Sequence, residues 1–203
     1  WEERYRRVPE PWEWLEHYWE VSDLIEAATR GARACSVLHA GCGTSLLTEH
    51  MYDAGYRSIV NIDTSPAAVE LMSARNLKRP WMRWLIMDAT RMDFLDGCFD
   101  LVVDKTLLDT FACAGSFDQL SSAYLQEVSR VLRDGGCFLC VSFNARDTRL
   151  RYLTKQFGFH VRKHTRTSQG SKLFFVYLCR KTSSGDMSRP HWDDGEGEEE
   201  EEE

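Results

Sequence analysis

Two glycines and a carboxylate carry the first chemistry that this sequence predicts. Gly41 and Gly43 flank Cys42 directly after a short apolar run, where glycine lets the backbone turn sharply and approach a ligand closely. Asp63 lies 20 residues beyond Gly43, at the end of a second apolar run. A carboxylate there can accept hydrogen bonds from both hydroxyls of a ribose, so this spacing predicts a nucleoside site. The other interpretation is that Asp63 only caps the turn that follows it.

The glycine turn favours S-adenosylmethionine over a dinucleotide as that nucleoside. A dinucleotide fingerprint needs a third glycine for close packing of the helix on the strand, and Leu46 stands at that position. S-adenosylmethionine carries no phosphate, so the turn has only to admit a carboxylate and a ribose. Asp88 ends a third apolar run in the same way as Asp63, and the two acids would face one ligand crevice.

The elements that would position these groups alternate between strand and helix along the chain. Predicted strands cover 35–40, 58–63, 82–88, 99–104, 137–143, 159–166 and 172–179, and predicted helices cover 12–29, 45–54, 66–75, 117–132 and 147–156. Ser65 is the predicted N-cap of the third helix, and Asp134 to Gly136 and Thr167 to Gly170 are predicted turns. This order is typical of an α/β fold with a doubly wound, Rossmann-like, mostly parallel seven-stranded sheet whose last strand is antiparallel.

Composition and charge divide the chain of 203 residues into three parts. Residues 1–30 are an aromatic-rich N-terminal cap segment, residues 31–181 are the main body of the same domain, and residues 182–203 are an acidic tail. The tail holds 10 of the 32 acids and 1 of the 25 bases, a net charge of −9, which leaves 24 bases and 22 acids before it. Such a run cannot bury enough apolar surface to order itself. We expect a disordered tail that keeps the protein soluble, or that screens a basic surface or attracts a basic partner.

Cysteine usage and hydropathy indicate the setting of the protein. The seven cysteines, an odd number spread through apolar runs, are typical of reduced thiols in an intracellular protein, and we predict a cytoplasmic location. Cys137 and Cys140 form a C-x-x-C, but no second pair or nearby histidine completes a zinc set, so we predict no metal site. No apolar run reaches the roughly 18 residues of a membrane span. The oligomeric state does not follow from the sequence.

Five motifs together resemble those of the seven-strand, S-adenosylmethionine-dependent methyltransferases: "VLHAGCGTS", "NIDTS", "WLIMDATRMDF", "FDLVVDKTLLD" and "EVSRVLRDGG". More narrowly, the chain is similar to the methyltransferase-like 13 group in "WEERY", "WEWLEHY", "GCGTSLLTEHMYDAGYRSIVNID", "RPWMRWLIMD" and "DKTLLD", and the resemblance covers about residues 1–180. That group includes lysine methyltransferases of translation elongation factor 1A. The resemblance implies S-adenosylmethionine as the cofactor and a protein of the elongation factor type as the partner.

The resemblance also implies roles for individual residues that match its motifs. The residues that would bind the cofactor are Gly41, Cys42 and Gly43 beside its methionine part, Asp63 and Thr64 at the ribose, Asp88 and Ala89 at the adenine, Asp104 by the methyl group, and Tyr5 and Trp14 folded over it. The candidate catalytic residues are Asp104, Lys105 and Asp109, and either aspartate could orient an amine and receive its proton. Asp109 could equally be a helix-start residue, and Tyr5 and Trp14 could simply pack on the core.

Three positions depart from the family patterns; one of them is Ser45, which stands where the wider superfamily often has a glycine, a residue that the narrower group commonly lacks too. The group reads D-K-G-T-L-D where this chain reads "DKTLLD", so Thr106 replaces a glycine. A β-branched residue is unfavourable at positive φ, and we therefore expect the local loop or the substrate pocket to differ. His39 stands where the wider superfamily often has an acid, and its place in the middle of a strand favours a hydrogen-bonded core histidine over a catalyst.

Methylation of a protein lysine is the function that these features favour. Two other classes stay open: a small-molecule methyltransferase with the same cofactor half, and a cofactor-binding module that regulates a partner without catalysis. Nucleic-acid methylation is disfavoured, since no N-P-P-Y-type tetrapeptide follows the fourth predicted strand. The clustered bases are also more typical of a solvated face than of a phosphate track; they are Arg146, Arg149, Arg151, Lys155, Arg162, Lys163, Arg166 and Lys172.

Overall fold

A seven-stranded sheet forms the centre of the computed structural model, which describes residues 1–8, 10–15, 17–112, 117–143, 153, 157–168 and 172–182. The strands are β1 (Ser36–Ala40), β2 (Ser58–Asp63), β3 (Met82–Ile86), β4 (Phe99–Lys105), β5 (Leu132–Ser142), β6 (Phe159–Thr167) and β7 (Leu173–Lys181). Their order across the sheet is β3-β2-β1-β4-β5-β7-β6. Strands β1 to β5 pair in parallel, and β7 lies antiparallel between β5 and β6. The predicted mostly parallel sheet with an antiparallel last strand is confirmed.

Helices cover both faces of this sheet. They are α1 (Glu2–Arg7), α2 (Ser22–Thr29), α3 (Leu47–Asp53), α4 (Pro66–Arg75), α5 (Leu107–Ala112) and α6 (Phe117–Val131). Buried residues of α2 and α3 pack with Val37 of β1 on one face, and those of α6 pack with Leu38 on the other, because successive strand residues point to opposite faces. For the same reason Cys137 and Cys140 of β5 lie on opposite faces, so this C-x-x-C does not present two thiols to one metal ion.

Helix α4 begins where the sequence predicts. Ser65 is its N-cap, and the Ser65 hydroxyl oxygen accepts a hydrogen bond from the Ala68 N–H at 3.2 Å. Pro66 follows at the first helical position, where its fixed φ suits the helix and its missing N–H loses no bond. The Asp63 carboxylate accepts the Ser65 N–H at 2.9 Å, so the start of α4 and the acid that ends β2 are held together.

The N-terminal helix predicted over residues 12–29 is wrong in its first half. Among the described residues of this range, helical structure is confined to α2 and a 3₁₀ turn at Tyr18–Glu20, and Leu15 has a positive φ of 65°. The Trp12 N–H donates to the Thr44 carbonyl oxygen at 3.2 Å. This contact ties the segment to the loop after β1, and such tertiary contacts override local helical spacing.

The turn predicted at Asp134 to Gly136 lies inside β5 rather than before it. Between two paired positions, β4 contributes only Asp100 while β5 contributes four residues, 133–136. The chain absorbs the extra residues in a bulge, and Gly135 supplies the positive φ, 73°, that the bulge requires.

Several sequence predictions fall wholly or largely outside the described residues. They are the helix at 147–156, of which only the buried Leu153 is described, the turn at 167–170 beyond Ser168, the acidic tail after Thr182, and four of the eight clustered bases, Arg146, Arg149, Arg151 and Lys155. Within the described ranges, no helix is both long and apolar enough to cross a membrane.

Candidate active site

A cavity of about 650 Å³ opens at the carboxyl ends of β1, β2 and β4, the edge where a doubly wound sheet binds its ligands. Its volume lies within the usual range for small-molecule sites. Eleven of the twelve predicted site residues line it, and Asp104 does not: the eleven are Tyr5, Trp14, Gly41, Cys42, Gly43, Asp63, Thr64, Asp88, Ala89, Lys105 and Asp109. Trp12, His39 and Phe143 line it as well, although sequence reasoning did not select them.

The glycine turn after β1 forms one wall of the cavity. Gly41 and Gly43 have positive φ values of 61° and 49°, a region that glycine enters without strain. A Cβ atom built on Gly43 would lie 2.5 Å from Tyr5 Oη, and one on Gly41 would lie 2.8 Å from Leu107 Cδ1. A side chain at either position would collide with Tyr5 or Leu107, so glycine lets these two residues pack closely on the turn.

Asp63 fixes the geometry of that turn. Its Oδ2 accepts the Gly43 N–H at 2.8 Å, and its Oδ1 accepts the Ser65 N–H at 2.9 Å. Burial raises the pKa of Asp63, and these two backbone N–H groups oppose the rise. Each carboxylate oxygen has a second lone pair, so Asp63 can also accept two hydroxyls from the cavity. It therefore caps the following turn, as the alternative interpretation has it, and it faces the cavity as well.

Thr64, Asp88 and Ala89 form the neighbouring wall. Asp88 is exposed just beyond β3, and its Oδ1 accepts both the N–H and the hydroxyl of Thr90 at 2.8 Å. Ala89 is buried beside it. This end of the cavity offers a small apolar surface next to a fixed acceptor, which fits an adenine ring and its amino group.

Asp104 has a structural position rather than a place in the cavity wall. Its side chain is fully buried, with Oδ1 accepting the Leu107 N–H at 2.9 Å and Oδ2 accepting the Leu108 N–H at 3.1 Å. Burial raises the pKa of Asp104 to about 7, and the negative charge of Asp109 adds to the rise. The carboxyl group thus caps α5 and positions the loop after β4.

Lys105 points to the other side of β4 and lines the cavity. Its ammonium forms an ion pair with Glu13, and the two side chains are only 3% and 9% exposed. Burial lowers the pKa of Lys105 to about 7, while the Glu13 carboxylate favours the charged form. Sequence reasoning missed Glu13, although it lies in the motif "WEWLEHY", because no local pattern reveals a partner 92 residues away.

Asp109 lies in the first turn of α5 with its side chain in the cavity wall. Its Oδ1 accepts the Ser142 hydroxyl at 2.6 Å, and its Oδ2 accepts the Phe143 N–H at 3.0 Å. These bonds tie α5 to the end of β5 and hold the carboxylate in one orientation. Asp109 is therefore both an early helix residue and a fixed acceptor at the cavity.

Aromatic side chains of the N-terminal segment close one side of the cavity. Trp1 and Trp14 meet edge-on, with ring centroids 5.7 Å apart, and Tyr5 and Trp12 lie beside them in the wall. Burial raises the pKa of Tyr5, and the negative charge of Asp63 adds to the rise, so the Tyr5 hydroxyl stays protonated. Trp12 and Trp14 are 51% and 36% exposed. These two rings therefore form the rim of the cavity, and core packing does not account for them.

His39 is buried in the wall, as predicted. Its side-chain hydrogen-bonding neighbour is Asn61, in a geometry looser than that of a standard hydrogen bond. Asn61 lies next to it on β2, and the Asn61 side-chain oxygen accepts the Thr48 hydroxyl at 2.8 Å. Burial lowers the pKa of His39 to about 4, so the ring is neutral near pH 7.

Thr106 adopts the left-handed conformation that a β-branched residue was expected to avoid. Its φ is 73°. Its N–H donates to the Val141 carbonyl oxygen and its own carbonyl accepts the Thr110 N–H, both at 3.0 Å. These bonds and the Asp104 cap fix the loop on both sides. The loop thus keeps a conformation that suits glycine, and the departure from the group consists of the Thr106 side chain, which lines the cavity.

Thr106→Gly is expected to raise the free energy of unfolding by about 0.5–1 kcal/mol. Removing the strain of a non-glycine residue in the left-handed region stabilises the fold by roughly 1–2 kcal/mol. The extra chain entropy of glycine in the unfolded state offsets about 0.5–1 kcal/mol of this gain. Urea unfolding measures the change. The matched control is Thr64→Gly, at an exposed cavity residue without positive φ, which should lose stability. A less stable Thr106→Gly would show that side-chain packing outweighs the backbone strain.

Comparison with known proteins decides the family. Residues 38–140 match a family model described as a methyltransferase domain, and this stretch contains the glycine turn, Asp63 and β4. The chain belongs to this methyltransferase family. The predicted class of enzyme is thereby confirmed, and S-adenosylmethionine, the predicted cofactor, is the methyl donor of that class.

Relatives of this methyltransferase include proteins named for elongation factor methylation. A Xenopus laevis protein named "eEF1A lysine and N-terminal methyltransferase" is 38% identical over 178 residues, which cover 84% of this chain but 25% of that protein; the chain spans about a quarter of that relative. "EEF1A lysine methyltransferase 4" of Mus musculus is 32% identical over 193 residues, 89% of this chain and 74% of that protein. The N-methyltransferase NodS of Bradyrhizobium japonicum, solved with S-adenosyl-L-homocysteine, has the same fold: TM-score 0.63 at 19% identity, over 80% of this chain and 85% of that one.

Proposed function

We propose that this methyltransferase modifies a lysine side chain of a translation elongation factor or a similar protein. The observation that carries the proposal is one continuous cavity, which joins the Asp63 end to a rim of Trp12 and Trp14 with Asp109 fixed in its wall. The Asp63 end suits an adenosyl group, and the rim suits an amine. The names of the relatives supply the substrate class.

The residues of the wall fit the cofactor of the family. Gly41 and Gly43 line the cavity with the backbone of the turn, Asp63 retains acceptor capacity for two hydroxyls, and Asp88 can accept from an adenine amino group. S-adenosylmethionine, when bound, supplies a methyl group on a sulfonium for an in-line displacement that leaves a neutral thioether.

The rim can hold the acceptor amine in an uncharged state. An aromatic and partly desolvated surface lowers the pKa of an amine, and ring faces attract a cation before it loses its proton. Trp12 and Trp14 already attract a cation within the chain, since the Arg4 guanidinium lies 5.4 and 5.5 Å from their ring centroids. Positioning of the amine in line with the methyl group is the main contribution such an enzyme makes.

Asp109 is the residue that we assign to the amine proton. Ser142 and Phe143 hold its carboxylate at the cavity, where it can accept a hydrogen bond from the amine and receive the proton, directly or through water. A proton lost from the amine nitrogen during methylation would pass to this carboxylate, while bound S-adenosylmethionine would supply the methyl group. Lys105 contributes through its ion pair with Glu13, and Asp104 through the position of α5.

Transfer of a labelled methyl group to purified elongation factor 1A tests the proposal. We expect label on a lysine, located by mass spectrometry of peptides, and a large loss of transfer in Asp109→Asn. Elongation factor with a blocked N-terminus separates lysine from α-amine methylation, because the relatives' names contain both.

A cell extract treated with labelled cofactor separates the remaining alternatives. If the label is found in small metabolites and protease treatment does not change it, a small-molecule methyltransferase would be supported instead. Cofactor binding without any labelled acceptor would support a regulatory module.

A further inference from the structure

We use the name strap for the N-terminal segment formed by the described residues 1–8 and 10–15, whose polar side chains and backbone bond the rest of the molecule at three places. Glu2 accepts hydrogen bonds at the start of α4, and the Trp12 N–H donates to Thr44. The third contact is Glu13, and it is the one that places a buried charge beside the cavity. The Glu13 contact therefore differs from the other two, because it is an ion pair between two buried side chains.

Glu13 joins the strap to two elements of the site at once. Its carboxylate pairs with Lys105 at the end of β4. The same carboxylate accepts the Ser45 hydroxyl at 3.0 Å and the Leu46 N–H at the start of α3. A carboxylate that is only 9% exposed requires such partners, because burial of an uncompensated charge is costly.

We propose that Glu13 is the positioning residue that fastens the strap over the cofactor cavity, through its ion pair with Lys105. This inference rests on the proposed function in one respect: it assumes that the cavity holds the cofactor. Four strap side chains form part of the cavity wall, namely Trp1, Tyr5, Trp12 and Trp14. Release of Glu13 uncovers that wall, so the ion pair controls how firmly a bound cofactor is enclosed.

Loss of the Glu13 carboxylate should free the strap, because the Lys105 ammonium is then more stable in contact with water than under the strap. Removing one partner of a buried pair leaves the other charge uncompensated, whereas removing both is often tolerated. Glu13→Gln should therefore open the strap, because a neutral amide no longer balances the charge of Lys105 at this point of the wall. Adding Lys105→Met should remove that charge and should not open the strap further.

Limited trypsin digestion without cofactor tests the fastening directly. The strap carries exposed arginines at Arg6 and Arg7, and cleavage there reports local opening. We expect about tenfold faster cleavage in Glu13→Gln than in the wild type. Glu10→Gln, at an exposed strap residue, is the matched control and should cleave at the wild-type rate. Equal rates for Glu13→Gln and the wild type would overturn the proposal.

Two further measurements separate fastening from general loss of structure. Cleavage in the Glu13→Gln, Lys105→Met double variant should be no faster than in Glu13→Gln alone. If the two substitutions each raised the cleavage rate and their effects multiplied, the proposed ion-pair fastening would be contradicted. S-adenosylhomocysteine should bind Glu13→Gln about tenfold more weakly by calorimetry, and equal affinity would contradict control of the cavity. If the wild type binds no S-adenosylhomocysteine, the proposed cofactor site fails, while the trypsin comparison still decides whether Glu13 fastens the strap.

Discussion

Asp63→Ala is expected to weaken the binding of S-adenosylhomocysteine by about 100-fold, because hydrogen bonds to a charged group contribute roughly 1.5–3 kcal/mol each. The variant removes the acceptor that the ribose hydroxyls need. It also leaves the N–H groups of Gly43 and Ser65 without their bonds of 2.8 and 2.9 Å, so the glycine turn loses its anchor. Isothermal titration calorimetry measures the loss directly and does not depend on the methyl acceptor.

Two control variants separate ribose binding from loop support. Asp63→Asn keeps one acceptor oxygen but turns an amide NH₂ toward a backbone donor, so we expect an intermediate loss. Asp88→Ala removes the exposed acceptor assigned to the adenine amino group, which also bonds Thr90 but does not hold the glycine turn, and we expect affinity to fall less than about tenfold. The thermal unfolding midpoint of each variant shows that it is folded at the titration temperature. Wild-type affinity in a folded Asp63→Ala would remove the ribose assignment.

The cavity could be predicted from the sequence because its parts are local patterns at strand ends. The glycine turn and the carboxylate of Asp63 each follow a buried apolar run, and parallel strands bring such ends to one edge of the sheet. Helix α4 could be predicted for the same reason, since Ser65 and Pro66 specify its start within two residues. These features need no knowledge of distant contacts.

The parts that sequence reasoning missed depend on contacts between distant segments. The helical spacing of residues 12–29 gave no sign that Glu13 reaches Lys105 or that Trp12 bonds Thr44. The role of Asp104 was missed for a different reason. The sequence shows that Asp104 and Lys105 end β4 and point to opposite sides, but not which of the two sides opens into the cavity.

Asp104→Asn is expected to gain about 2–3 kcal/mol in free energy of unfolding, relative to the wild type, as the pH rises from 5 to 8. Burial and the charge of Asp109 raise the pKa of Asp104 to about 7 in the folded protein, from 3.8. Between these two values the folded state binds more protons than the unfolded state. The stability that Asp104 contributes is thus full below pH 3.8 and is lost as the pH rises through about 7.

The difference between the two proteins isolates this effect from other titrating groups. His39 acts in the opposite direction between about pH 4 and 6.5, because burial lowers its pKa to about 4, but His39 is present in both proteins. Asparagine also cannot accept both the Leu107 and Leu108 N–H groups, which lowers stability by an amount that does not change with pH.

Urea unfolding at pH 5, 6, 7 and 8 gives the pH dependence of the difference in free energy of unfolding between Asp104→Asn and the wild type. A slope of about 1.4 kcal/mol per pH unit below pH 7, and none above it, is the signature of a carboxyl group that enters the fold protonated. A difference that stays constant over the whole range would mean that Asp104 is ionised in the folded protein at pH 5. A buried carboxylate of that kind needs compensating donors, and the Leu107 and Leu108 N–H groups, at 2.9 and 3.1 Å from its two oxygens, would then be the groups that hold Asp104 in its ionised form.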